Sequence, residues 1–303
     1  MNQQIFDGLC RIAGRGQVLV DERMDRHTTF RIGGPADFFV VPETPEKLAE
    51  VVQFCRERQV PFYILGNGSN LLVGDRGYRG VIIQIYKNMN EIQIEGKKIR
   101  AQAGAMLSVI AKKALAHSLK GFEFASGIPG TLGGAVMMNA GAYGGEMKDI
   151  IRETVVLTPD GEVRTLSCDE MEFGYRTSVV GKKSFIVLEA VLELEMGVQE
   201  EIRQRMEELK ECRTSKQPLD LPSAGSTFKR PEGYFAGKLI MDAGLRGFTV
   251  GGAQVSEKHC GFVVNRGGAT AADVRELMKQ VNERVQSRFG VSLEPEVKML
   301  GEF

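Results

Sequence analysis

Histidine is scarce. There are three in 303 residues, His27, His117 and His259, and no two sit at the helical spacing that zinc sites use. The five cysteines, Cys10, Cys55, Cys168, Cys212 and Cys260, are odd in number and include no C-x-x-C. That spacing offers neither a disulfide framework nor a thiolate metal site. No metal is expected. Excess charge is also missing: Lys+Arg and Asp+Glu are 39 each, a formal net charge of zero. A general electrostatic grip on nucleic acid is thereby excluded, though a local basic pocket is not. No apolar run reaches membrane-spanning length, and residues 1–16 lack the apolar stretch of a secretory signal. A cytoplasmic chain is expected, with no nucleic acid, no membrane and no obligate protein partner.

What the sequence does have is glycine, 36 of them, and they cluster. The first cluster is Gly66-Asn67-Gly68-Ser69-Asn70, directly after the apolar run "FYIL". Glycine lets the backbone turn tightly and bring amide N–H groups close to an anion. An ordinary strand-to-strand turn reads the same way. The spacing fits neither G-x-G-x-x-G nor G-x-x-x-x-G-K-[ST], because position 71 is leucine. The second cluster holds seven glycines between 127 and 145. It begins Gly127-Ile128-Pro129-Gly130-Thr131-Leu132-Gly133-Gly134-Ala135 and leads into a small-residue helix start. Such a start offers N–H donors and a positive helix end; close helix packing explains the same glycines. Two such loops in one chain without metal motifs point to a bound dinucleotide.

The periodicity predicts helices over 45–58, 107–119, 199–216, 235–243 and 271–289. Thr44 and Pro45 start the first, while Thr270 with Asp273 and then Gly290 bound the last. The 199–216 helix carries a stripe of Ile202, Met206, Leu209 and Cys212 and reads as a bridge between lobes. "NEIQIEGKKIRAQ" and "TVVLTPDGEVRTL" read as hairpins turning at Glu-Gly and Asp-Gly. "SFIVLEAVLELEM", residues 252–256 and 261–265, and "LEPEVKML" read as strands. His259-Cys260 falls in an expected strand, where neighbours face opposite ways, so a Cys/His pair is not expected. This mixture makes an α+β chain, not a doubly wound parallel sheet.

Five stretches occur in order: "YILGNGSNLLV", "GIPGTLGGAVMMNAGAYGGE", "GYRTS", "PSAGSTFKRP" and "LEPEVKMLG". Together they resemble the UDP-N-acetylenolpyruvoylglucosamine reductase (MurB) family of peptidoglycan synthesis, from about residue 28 to 301. The first two also resemble the wider family of flavin proteins.

The resemblance implies a two-lobed FAD-binding domain of the PCMH/vanillyl-alcohol-oxidase type plus a C-terminal α+β substrate-binding domain. The corresponding spans are 1–85 and 86–197 for the FAD lobes, 198–217 for a connecting helix and 218–303 for the substrate domain, with the last strand returning to the FAD lobes. It implies non-covalent FAD, since 60–75 holds no His or Cys to tether it, and NADPH as co-substrate.

It also implies roles for single residues. Gly66, Asn67, Gly68, Ser69, Asn70, Gly127, Ile128, Gly130, Thr131, Gly134, Ala135 and Asn139 would contact the cofactor. Arg176 and Glu296 would stabilise an enolate formed on a UDP-sugar enolpyruvate, Glu296 only while holding a proton, and Ser226 would donate the proton. Tyr175, Lys216 and Lys229 would bind substrate. Only a few residues separate Arg176 from the next strand, which matches the family's shorter type, without an extra tyrosine loop. The alternatives are another FAD-dependent oxidase of the same fold and a non-catalytic nucleotide-sugar-binding relative.

Overall fold

Local chemistry sets most element boundaries in this computed structural model, which describes residues 2–303. Helix Pro45–Glu57 starts on Thr44, whose hydroxyl accepts from the Lys47 N–H, with proline at a position where a missing N–H removes no helical bond. Its buried stripe is Leu48, Val51, Val52 and Cys55. Helix Ala271–Phe289 lies where it was expected. Thr270 and Asp273 cap each other's backbone, and Gly290 ends the helix in the left-handed region at φ 71°.

The chain divides into two compact units that do not follow chain order. Unit one is the chain up to Leu19, Phe39–Gly66 and Ile82–Arg213; unit two is Val20–Phe38, Asn67–Val81 and Thr214–Phe303. Strands Val18–Arg23, Pro35–Val40 and Tyr78–Gln84 therefore each carry residues of both units, and helix Gln199–Lys216 is divided after Arg213. Of that helix's expected stripe, Ile202 and Leu209 are buried, whereas Cys212 is exposed.

Unit one is built on a five-stranded antiparallel sheet, in the order Val163–Ser167, Ile151–Leu157, Ile186–Glu193, Lys98–Gln102, Ile92–Glu95. Both expected hairpins are present, turning on Gly96 and Gly161 at positive φ. The strand expected through residue 196 stops at Glu193. Glu195–Met196 instead pairs with Leu119–Lys120, which is also why the helix expected to 119 ends at Ala116. The six-residue helix Leu132–Met137 packs against the central strand Ile186–Glu193.

Unit two has a four-stranded antiparallel sheet, Ser223–Ser226, Phe262–Asn265, Ala253–Val255, Thr249–Val250. Helices Ala236–Asp242 and Ala271–Phe289 close a core that includes Phe30, Leu72, Phe228, Ile240, Val263 and Val281. The Asp75 carboxylate caps the long helix from another segment, accepting from Ala271 N (2.7 Å) and Ala272 N (2.9 Å). Strand Lys298–Leu300 pairs in parallel with Leu71–Val73. It is shorter than expected, because Pro295 has no N–H for a ladder and makes only a bridge to Phe228. No helix of the described residues is long and apolar enough to cross a membrane.

His259 lies in a turn, not in the strand expected there; Phe262–Asn265 begins three residues later. Its Nδ1 accepts from Gly261 N–H (3.0 Å), and its ring meets Phe262 edge-on. Burial holds the imidazole below its ordinary value, opposed by a backbone hydrogen bond. The fold therefore favours the neutral ring, while the unfolded chain takes up the proton from about pH 6.5 downward. That preference stabilises the fold fully above the unfolded value and is lost as pH falls through the folded one. The thermal midpoint is expected to drop between about pH 7.5 and 5.5, and His259→Gln, which retains an acceptor, to flatten the drop. An unchanged slope in the variant would assign it to other groups.

Candidate active site

The two glycine loops meet within unit one. Gly66 leaves strand Phe62–Leu65 so close to Thr131 that a methyl at Gly66 would lie 2.4 Å from Thr131 Oγ1. That hydroxyl is buried and has no hydrogen-bond partner among the described residues. Thr131 stands at the N-cap of helix Leu132–Met137, yet its side chain does not cap it. An orphaned hydroxyl beside a glycine that admits no Cβ is the donor set that an anionic or polar ligand would complete.

Not every donor expected from the second loop is available. Leu132 N and Gly133 N are engaged by Ala105 O and Ala103 O (both 2.8 Å), and Ile128 N by Ala125 O (3.0 Å). At Gly133 the packing explanation holds, since a methyl there would come 2.9 Å from Ala103 Cβ. Sequence reasoning missed Arg213. Its Cδ would lie 3.1 Å from a methyl at Gly127, and burial pulls its guanidinium below the usual value, against the influence of Tyr143. It is the last residue of unit one, in a helix read only as a bridge; a basic residue at that helix's end was the available signal.

Residues Asn67–Asn70 belong to unit two. Gly68 has φ 63°, and a methyl there would lie 2.1 Å from the His27 carbonyl oxygen. Asn70 serves the chain as well: its Nδ2 donates to Glu296 O (3.2 Å), and its carbonyl accepts from Lys298 N (3.1 Å). The side chain expected to face a cofactor thus also anchors the segment that carries Glu296.

Arg176 sits in a two-residue turn of unit one. Gly174 N donates to Thr177 O (3.0 Å) and Thr177 N to Gly174 O (3.3 Å), with Arg176 left-handed at φ 56° and its guanidinium 5.4 Å from the Tyr175 ring centroid. Only the short helix Val179–Lys182 separates this turn from strand Ile186–Glu193. Asn139 lies beneath the turn. It is 1% exposed, left-handed at φ 43°, and donates to Gly174 O (3.2 Å).

Unit two brings Ser226 and Glu296 onto adjacent extended segments. Thr227 joins them: its carbonyl accepts from Glu296 N (2.8 Å), its own N–H goes to Gly261 O (2.9 Å), and its buried hydroxyl accepts from Val263 N (2.9 Å). Gly225, at φ 77°, breaks the pairing register just before Ser226. Ser226 therefore ends a strand; it does not start a helix.

Lys229 N donates to Glu294 O (2.8 Å) and its ammonium pairs with the Glu294 carboxylate. That exposed pair contributes about 0–1 kcal/mol at most, so it leaves the ammonium open to exchange. Tyr175 is exposed on the Arg176 turn, and Lys216 is exposed at the end of its helix. Among the described residues no group of His, Cys, Asp and Glu is placed to hold a metal.

Two family models match the chain: an FAD binding domain over residues 36–167 and the UDP-N-acetylenolpyruvoylglucosamine reductase C-terminal domain over 217–300. A reductase of that name from Alkaliphilus oremlandii is 53% identical over 297 residues, covering 98% of each chain. This chain belongs to the UDP-N-acetylenolpyruvoylglucosamine reductase family. A crystal structure of a family member from Thermus caldophilus matches at a TM-score of 0.80 and 36% identity, over 94% of this chain and 98% of that one. The 4-ethylphenol oxidase from Gulosibacter chungangensis shares the fold only, at a TM-score of 0.50 and 16% identity over 64% of this chain and 42% of that one. The chain is thus an FAD-dependent oxidoreductase of α+β fold, with a flavin-binding domain of the PCMH type and the reductase family's C-terminal domain.

Proposed function

We propose that this enzyme reduces the enolpyruvyl group of UDP-N-acetylglucosamine enolpyruvate to the lactyl ether of UDP-N-acetylmuramate, with NADPH as the source of hydride. Family membership supports the substrate class. The observation that carries the chemistry is the Thr227 link, which sets a hydroxyl and a carboxylate on adjacent segments of unit two.

FAD, when bound, would supply the hydride chemistry between NADPH and the alkene. Gly66, Thr131 and the Gly127 loop, with Asn67 to Ser69, would hold it. Arg213, a desolvated cation beside Gly127, would answer phosphate charge.

Once hydride has arrived at the terminal carbon, negative charge sits on the carbon next to the carboxylate and spreads into it. The forked, permanently charged guanidinium of Arg176 would bind those oxygens. A protonated Glu296 would donate to the same enolate. Ser226 would deliver its hydroxyl proton to the carbon, completing addition of one hydride and one proton across the double bond. No base is needed to activate Ser226, because the substrate carbon is the basic partner. Tyr175, Lys216 and Lys229 would bind the rest of the substrate, Lys229 by leaving Glu294.

Purified protein is expected to be yellow, to bleach anaerobically with NADPH, and to regain its colour on adding the enolpyruvyl sugar nucleotide. Colour restored only by oxygen would favour the oxidase alternative.

A further inference from the structure

Asn139 has more bonds to the protein than a cofactor contact requires. Its Nδ2 donates to Glu146 Oε2 (2.6 Å) and to Gly174 O (3.2 Å), and its Oδ1 accepts from Lys148 N (2.9 Å). Both amide protons are therefore engaged. Glu146 is fixed in turn: its other oxygen pairs with the Lys148 ammonium, and its N–H donates to Asp149 Oδ2 (2.9 Å).

The place of this network matters. Asn139 follows helix Leu132–Met137 and takes the left-handed conformation common just past a helix end. One residue before that helix's C-cap, Met137 O accepts from the buried Ser178 hydroxyl (2.7 Å). Gly174 and Ser178 bracket Tyr175, Arg176 and Thr177. The Arg176 turn is thus clamped at both ends by one helix terminus. Arg176 itself is a non-glycine residue at φ 56°, a conformation that persists only where surrounding contacts over-determine it.

We infer that Asn139 is a positioning residue for Arg176, holding its turn through Gly174 O, and that its amide is directed to this task and not to the flavin. The inference rests on the proposed role of Arg176. A small displacement of the turn would move the guanidinium, at the end of a long side chain, away from the developing enolate.

Asn139→Gly keeps the left-handed backbone and deletes the amide. Asn139→Asp keeps the acceptor for Lys148 N and loses the donor to Gly174 O. For both, fluorescence titration of apoprotein with FAD is expected to give a Kd within about twofold of the parent, and flavin reduction by NADPH to be little changed. Oxidation of the reduced enzyme by the enolpyruvyl sugar nucleotide is expected to slow about tenfold to a hundredfold, as for a misplaced reacting group. In an Arg176→Ala background, Asn139→Gly should add no further loss, because the two act as one unit.

Weakened FAD binding with both half-reactions reduced together would overturn the inference and return Asn139 to the cofactor. An additive loss in the double variant would overturn it too, as would unchanged oxidation in both single variants while Arg176→Ala slows that step. If Arg176→Ala alone leaves the step intact, the role of Arg176 falls and the inference falls with it.

Discussion

Ser226→Ala is expected to leave bleaching by NADPH intact and to slow oxidation of the reduced enzyme by the enolpyruvyl sugar nucleotide about 10²–10⁴-fold, the range for a lost general acid. The split between half-reactions is the diagnostic. Ser226 is paired through its backbone with Phe262 at the end of a strand, so alanine leaves the ladder in place. The deleted atom is the hydroxyl alone, and NADPH oxidation needs no proton from it. Rapid-mixing spectra at the flavin band, one substrate at a time, separate the steps. A matching fall in both would mean that Ser226 shapes the site without donating a proton.

Gly68→Ala is expected to yield a protein with little bound flavin and a lowered denaturation midpoint. Two costs act together. The left-handed backbone alone costs a non-glycine residue about 1–2 kcal/mol. The added methyl would also lie 2.1 Å from the His27 carbonyl oxygen and 2.9 Å from Thr28 Cα. Those are backbone atoms, so no side-chain rotation relieves the contact; residues 27–29 or the loop must move. Gly68→Asn separates the two costs, because asparagine tolerates the left-handed region yet still carries a Cβ. Equal loss in both variants assigns the effect to the close approach. Recovery with asparagine assigns it to backbone conformation. The ratio of flavin to protein absorbance and a urea titration read both.

The same distinction between local and distant causes explains what was legible in the sequence. Helix Ala271–Phe289 could be placed to the residue, because Thr270, Asp273 and Gly290 act within a few positions of their own backbone. The Asp-Gly and Glu-Gly hairpins were legible for the same reason. His259 was misplaced because a four-residue apolar strand leaves its own start poorly defined. The strand over 184–196 was read too long because its end is set by Leu119–Lys120, far away in the chain.

The asparagines show the limit most clearly. Asn70 and Asn139 both sit in glycine-rich stretches, and an amide that faces a ligand is spelled the same as one that holds a neighbouring segment. Asn70 reaches Glu296 across 226 residues, and Asn139 reaches Gly174 across 35. Neither partner leaves a mark near the asparagine. The interleaving of the two units has the same cause, since it depends on which distant segments pair.

The pairing of Leu71–Val73 with Lys298–Leu300 has a consequence for synthesis. Gly74 N donates to Leu300 O, Arg76 N to Glu302 O, and Glu302 N to Gly77 O. Unit two therefore takes its first segments early in translation and its closing segment at residues 298–302, with most of unit one made in between. Unit one has all its segments once residue 213 has left the ribosome, and it can fold while translation continues. The Gly68 turn, the Asp75 cap and the Glu296 segment must wait, with a long loop to close. The nascent chain thus completes unit one and unit two at different times, and unit two is not whole before residues 298–302 are delivered.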